Sequence, residues 1–126
     1  MNEEDYPHEH LSEAATLRLE VMRQCHKVPE GRVMSYGQLG ASCNPPISGY
    51  ICGRVMGTVM EKAPWWRIVG KDGKLPISKR GPLHSEEQRK RLVAEGVGFD
   101  DQGRVLSRFF VDAIDEAKET GQGSLF

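Results

Sequence analysis

Between Ser12 and His26 the apolar residues Ala15, Leu19, Met22 and Cys25 recur three or four positions apart, with Leu11 and Val21 beside them. A 3.6-residue repeat gathers such positions onto one stripe, so the stretch predicts an amphipathic helix with Ser12 as its cap. Cys25 falls on that stripe and reads as a small buried hydrophobe rather than a nucleophile. Pro29-Glu30-Gly31 then turns the chain. Ser35-Tyr36-Gly37-Gln38 has the spacing of a capping box and predicts a short helix from Tyr36 towards Ser42. Asn44-Pro45-Pro46 breaks it, and Ser48 reopens a helix from about Gly49 to Lys62. Two short helices about a polar, proline-rich turn make a candidate helix-turn-helix.

In the second half, Trp65 to Val69 reads as a short strand and Lys71-Asp72-Gly73-Lys74 as a tight turn. Leu75 to Arg80 is the returning segment, which Pro76 restricts to an edge or a loop. Ser85-Glu86-Glu87-Gln88 is a second capping box, opening a helix that Gly96 ends. Val97 to Phe99 and Arg104 to Leu106 flank Asp100-Asp101-Gln102-Gly103 as a small hairpin. Residues 108–119, with Phe109, Phe110, Val111, Ala113 and Ile114, predict a last amphipathic helix. The expected fold is mainly α with small β elements, a winged-helix type of arrangement. Residues 11–119 form a single domain between a disordered N-terminus over 1–10 and a loose end over 120–126.

A chain of 126 residues that is 38% hydrophobic and 28% charged has the make-up of one globular domain able to bury its own core. It contains no apolar run of membrane-spanning length, and its acidic start lacks the pattern of a signal peptide. An intracellular protein is expected, cytoplasmic in a bacterium or nuclear in a eukaryote. Three cysteines, Cys25, Cys43 and Cys52, without CxxC spacing indicate neither a disulfide framework nor a zinc site. The formal charge of −1 hides an asymmetry, because residues 62–91 carry nine Lys and Arg against Asp72, Glu86 and Glu87. A basic centre between acidic ends suits a polyanion held on one face.

No catalytic constellation stands out. His8, His10, His26 and His84 are scattered, Asp100 and Asp101 belong to a turn, and there is no phosphate-loop pattern. No metal and no cofactor are expected. Both tryptophans lie in Pro64-Trp65-Trp66-Arg67-Ile68-Val69. Neighbours on a strand point to opposite faces, so at least one indole is expected to line a pocket. Gly53 and Gly57, four apart on the second helix of the pair, leave a bare face for a helix or a nucleic-acid backbone to approach. Arg54 beside that face, Tyr36 at a helix start and the Trp pair are the residue types that hold an extruded nucleotide. Cys52 lies close to Arg54, a cation able to lower a thiol pKa, but no histidine accompanies it in that segment.

At this point the residues resemble a known family. Val33-x-Ser35-Tyr36-Gly37, the run Arg54-Val55-Met56-Gly57-Thr58-Val59-Met60, Pro64-Trp65-x-Arg67-Ile68 and Ile77-Ser78-Lys79-Arg80 look like successive motifs of the DNA-binding domain of O6-alkylguanine-DNA alkyltransferases, and more specifically of the alkyltransferase-like proteins. The resemblance covers roughly residues 12–106 and implies the winged-helix-like helix-turn-helix domain of the alkyltransferase C-terminal type. In the enzymes the central motif is Pro-Cys-His-Arg-Val, whose cysteine accepts the alkyl group. Here Trp65 stands at the cysteine and Trp66 at the histidine, which removes nucleophile and base together. Residue by residue, the resemblance makes Ser35, Tyr36, Gly53, Arg54, Gly57 and Thr58 the DNA-binding set. Tyr36 presses on the phosphate beside the lesion, and Arg54 is the finger that fills the gap left by the flipped base. Trp65, Trp66, Arg67, Ile68, Ser78 and Arg80 make the lesion pocket. Trp65 is its wall, Ile68 offers backbone contacts, Ser78 belongs to the lid, and Arg80 lies as a cation over the base.

The function expected on this resemblance is a non-enzymatic sensor, a monomer, that binds O6-alkylguanine in duplex DNA from the minor groove, flips the base and signals to nucleotide excision repair. Two other readings compete. One is an alkyltransferase acting through a displaced thiol, with Cys52 the candidate; the other is a sequence-specific winged-helix regulator reading the major groove.

Overall fold

The computed structural model describes residues 12–59, 62–76 and 82–111. The two predicted tails, the segment Ile77 to Arg80 and most of the predicted last helix lie outside these residues. Helix α1 runs over Glu13–Cys25, and the Ser12 hydroxyl accepts from the Ala15 amide at 3.0 Å as its cap. Its buried residues are Val21, Gln24 and Cys25. Leu19, expected on the apolar stripe, is instead 51% exposed, because the covered face is the one through Val21 and Cys25 that continues to Val28. Strand β1 (Met34–Ser35) leads straight into α2 (Tyr36–Ser42), whose cap is Ser35, accepting from the Gln38 amide at 3.0 Å.

Helix α3 occupies Gly49–Val59, with the Ser48 hydroxyl accepting from the Ile51 amide at 3.1 Å. It stops short of the predicted Lys62, which lies in the following turn. Helices α1, α2 and α3 pack on one another as a helix-turn-helix with its supporting helix. The turn is close because it lacks side chains. A Cβ on Gly40 would strike the Ile47 carbonyl, and one on Gly49 would lie 3.0 Å from Gly37. Ala at either position is therefore expected to open the pair.

Trp65–Arg67 forms a 3₁₀ turn and only Ile68–Val69 is strand, β2, so the predicted strand is shorter by three residues. β2 pairs with β1 in parallel, Met34 opposite Ile68 and Ser35 opposite Val69. This two-residue ladder sets the entry to α2 beside the end of the tryptophan segment. Helix α4 spans Pro82–Ala94. It starts three residues before the predicted Ser85, since proline is well tolerated in a first helical turn, and Gln88 is drawn into the core rather than back to a cap. Its other end follows expectation. Gly96 has φ of +90°, its amide bonds the Val93 carbonyl, and that of Val97 bonds Leu92, the two bonds of a Schellman cap.

The hairpin is present as the Phe99–Val105 bridge, with Asp100 accepting from the amides of Gln102 and Arg104 and Gly103 at φ of +80°. The predicted last helix is not continuous from 108. Ser107–Phe109 is a 3₁₀ turn, and Phe110 forms a parallel bridge with Val33. Leu75 and Pro76 form no strand.

Among the described residues the hydrophobic core falls into two clusters. The first joins Val21, Cys25, Leu39, Cys52, Met56 and Ile68 between the three N-terminal helices; the second joins Val33, Val69, Leu92, Val97 and Val105 under α4 and the hairpin. Ile68 belongs to one and its neighbour Val69 to the other, as alternation along a strand requires. No helix among the described residues is long and apolar enough to cross a membrane.

Candidate nucleic-acid interface

The tryptophan segment lies between the two clusters. Trp65 packs against the first and Trp66 against the second. The premise that one core has no use for two adjacent indoles holds, and the chain meets it by having two cores. The rings meet edge to face, with centroids 6.1 Å apart and planes at 88°. Both are half-buried.

Trp66 is fixed by its polar atom. Its indole N–H donates to Oε2 of Glu95 at 2.8 Å, and its ring lies under the guanidinium carbons of Arg67, 5.4 Å away, and Arg91, 4.8 Å away. Glu95 also receives Nη2 of Arg67 at 2.8 Å and the Gly31 amide at 2.9 Å. Arg67 gives its remaining arm to the Val28 carbonyl at 3.1 Å. The Arg67 and Glu95 side chains are only 15% and 11% exposed. Trp66 and Arg67, predicted to face the lesion, thus have their hydrogen-bonding atoms engaged inside the fold, where they fix the segment that carries Trp65. Burial raises the Glu95 pKa. The hydrogen bonds from Arg67, Gly31 and Trp66 and the Arg67 charge outweigh it, so the carboxyl is held below its ordinary value.

Gln88, fully buried, fixes the backbone of the same segment: its Nε2 donates to the carbonyls of Trp66 at 3.2 Å and Ile68 at 3.0 Å. Ile68 is itself fully buried, and its carbonyl already accepts this one bond. Trp65 is more open chemically. The His84 ring stacks on it at 4.2 Å with a 30° tilt, and the Arg91 guanidinium carbon lies 5.5 Å from its centroid. Arg91 is otherwise held by Glu87 at 2.7 Å, one turn earlier on α4.

Sequence reasoning missed His84, Gln88, Arg91 and Glu95 as partners of this segment. Their spacing of four, three and four runs along one face of α4 and continues it to Glu95, the residue after the helix, which is the signal that marks them. Glu95 carries a second signal. A carboxylate at the C-terminal end of a helix opposes the macrodipole and calls for a cation nearby.

The helix-turn-helix presents the other candidate residues. Ser35 is engaged as the α2 cap. Tyr36 is half-buried, and its ring lies 3.8 Å from where a Gly53 Cβ would stand. At Gly53 the bare helical face therefore receives α2 of the same chain rather than another molecule. Arg54, Gly57 and Thr58 are exposed on α3. Nη1 of Arg54 donates to the Tyr50 hydroxyl at 3.3 Å, and the Thr58 hydroxyl donates to the Val55 carbonyl at 2.7 Å. Ser78 and Arg80 lie outside the described residues.

The cysteines are removed from chemistry. Cys25, Cys43 and Cys52 are all buried free thiols. Burial pushes Cys25 and Cys52 each up to about 12, and Cys43 upwards as well. Arg54, expected as a neighbour able to lower the Cys52 pKa, does not offset this; Cys43 and Cys25 add to the rise. Thiolate is the nucleophilic form, so a thiol at about 12 is inert near neutrality. Among the described residues no group of three or more His, Cys, Asp and Glu is placed to hold a metal ion.

Comparison with known proteins matches residues 16–97 to the family model described as the DNA-binding domain of 6-O-methylguanine DNA methyltransferase. A DNA base-flipping protein of Vibrio parahaemolyticus is 26% identical over 92 residues, covering 71% of this chain and 89% of that protein. Two crystal structures share the fold. S. pombe Atl1 with damaged DNA containing O6-carboxymethylguanine aligns with a TM-score of 0.60 and 24% identity, over 72% of this chain and 87% of that one. S. pombe ATL in complex with DNA aligns with a TM-score of 0.61 and 22% identity, over 75% and 91%.

Proposed function

The chain belongs to the family of the 6-O-methylguanine DNA methyltransferase DNA-binding domain, and from that premise we propose that it is a lesion sensor: it binds O6-alkylguanine in duplex DNA, flips the base and holds it without transferring the alkyl group. One observation carries the reading. An indole stands where the family's acceptor cysteine would be, and the chain's own three cysteines are buried, two of them with pKa near 12. Indole carbon and nitrogen offer no nucleophile for an SN2 alkyl transfer near neutral pH. A displaced-thiol enzyme acting through Cys52 loses its support for the same reason.

Binding proceeds on this reading from the minor groove. α3 presents Arg54, Gly57 and Thr58 to the duplex, and Tyr36 at the start of α2 presses on the phosphate beside the target. Arg54 enters the stack behind the extruded guanine. Expelling a base costs a few kcal/mol and less for a damaged pair, which supplies part of the selectivity. Trp65 walls the pocket with its indole. The Vibrio protein named for base flipping and the Atl1 complex with an O6-alkylated guanine support this reading of the site. The output is a stable, bent complex that nucleotide excision repair proteins recognise.

The test is a pair of duplexes differing only in O6-methylguanine against guanine. Tighter binding to the methylated duplex is expected, and equal affinity for both refutes the proposal.

A further inference from the structure

Helix α3 carries an aromatic side chain in water beside Arg54. Tyr50, four residues earlier, is 66% exposed. The two side chains meet in two ways. Nη1 of Arg54 donates to the Tyr50 hydroxyl at 3.3 Å, and the guanidinium carbon lies 5.8 Å from the ring centroid. Helical geometry arranges this, since residues four apart lie above one another and the later side chain leans towards the N-terminus. The mount is firm. The first turn of α3 is capped by Ser48, bonded to the Ile51 amide at 3.1 Å, and Gly49 packs directly on Gly37 of α2.

We propose that Tyr50 is a positioning residue for the Arg54 finger. An arginine has many rotamers, and losing them on entering a base stack opposes binding. A contact made before DNA arrives takes part of that loss in advance, as preorganisation does generally. The phenol suits the task. Its oxygen accepts one guanidinium N–H at 3.3 Å, and with the guanidinium carbon 5.8 Å from the ring centroid the cation rests at the hydroxyl end of the ring. Tyr50 thus acts through Arg54 rather than as a separate DNA contact. The inference rests on the reading of Arg54 as the residue that enters the stack.

The test is a double-mutant cycle on the whole chain, with affinity for an O6-methylguanine duplex as one readout and ¹⁵Nε relaxation of Arg54 in the free protein as the other. Loss of one exposed hydrogen bond predicts that Tyr50→Ala weakens lesion binding about three- to fivefold, and that Tyr50→Phe, which lacks the hydroxyl, weakens it nearly as much. Tyr50→Ala is expected to add nothing in an Arg54→Ala background, and to raise the mobility of the Arg54 side chain without DNA. Additive losses make Tyr50 an independent DNA contact and overturn the proposal. Unchanged Arg54 mobility in Tyr50→Ala overturns it equally. If Arg54→Ala alone leaves lesion binding intact, the reading of Arg54 as the finger fails first and the proposal falls with it.

Discussion

Glu95→Ala tests how the tryptophan segment is held. The carboxylate takes Arg67 at 2.8 Å, the Trp66 indole N–H at 2.8 Å and the Gly31 amide at 2.9 Å. Its removal leaves Arg67 as a cation whose side chain is 15% exposed, together with two donors whose acceptor is gone. Breaking a buried ion pair from one side costs roughly 3–5 kcal/mol; the residual exposure and the remaining Val28 carbonyl argue for about 3. Against a total stability of about 5–15 kcal/mol this is a large share. In urea, with a slope of roughly 1–3 kcal/mol per M, it lowers the unfolding midpoint by about 1–3 M at unchanged slope. Both tryptophans report on the site, so their emission follows the transition. An Arg67→Met, Glu95→Leu double variant is expected to lose less than Glu95→Ala, because it strands no charge. A change below about 1 kcal/mol for Glu95→Ala refutes the argument that this web supports the site. The pH dependence has a fixed sign. A carboxyl held below its ordinary 4.5 contributes fully above that value and loses its contribution as pH falls through the depressed one. The acid limb below pH 4.5 is thus expected to be shallower in Glu95→Gln than in the wild type.

The other predictions concern separate parts of the molecule. Gln88→Met keeps the volume but takes donors from the Trp66 and Ile68 carbonyls, and a loss of about 1–3 kcal/mol is expected in the same urea assay. Cys25, Cys43 and Cys52 are expected to resist a thiol reagent at pH 8 in the folded protein and to react at once in denaturant; rapid native labelling of one of them restores a candidate nucleophile. Arg54→Ala is expected to weaken lesion binding by about tenfold or more, as expected for a residue that fills the gap. The exposed Lys71→Ala, which loses only a screened surface charge, is expected to weaken it by less than about twofold. Comparable losses mean that Arg54 acts through charge alone.

What the sequence made legible is local. Ser12 and Ser35 act as caps because each needs only an amide three residues on, and Gly73, Gly96 and Gly103 take the positive φ that their turns demand. The helix-turn-helix followed from the same short-range signals. Long-range ties were not legible. Nothing near Trp66 announces that its N–H reaches Glu95, twenty-nine residues away, and the Ser85 to Gln88 spacing mimics a capping box although Gln88 belongs to the core. Trp65–Arg67 fits a strand pattern by residue type, yet it is a 3₁₀ turn; the ties from Gln88 and Glu95 are what the sequence of that segment does not contain. Leu19 fitted the apolar stripe of α1, yet the packed face lies elsewhere on that helix. For the candidate site, position came from the motif order, whereas Trp66 and Arg67 acquired their structural work only with α4 in place.

The central claim is binding without transfer, and one incubation tests it. Excess protein is held with a duplex carrying a single O6-methylguanine, the complex is isolated by gel filtration, and both components are analysed by intact mass. The account predicts that the complex survives isolation, that the DNA retains its methyl group and that the protein mass is unchanged. A protein heavier by one methyl group, with guanine restored in the DNA, contradicts it.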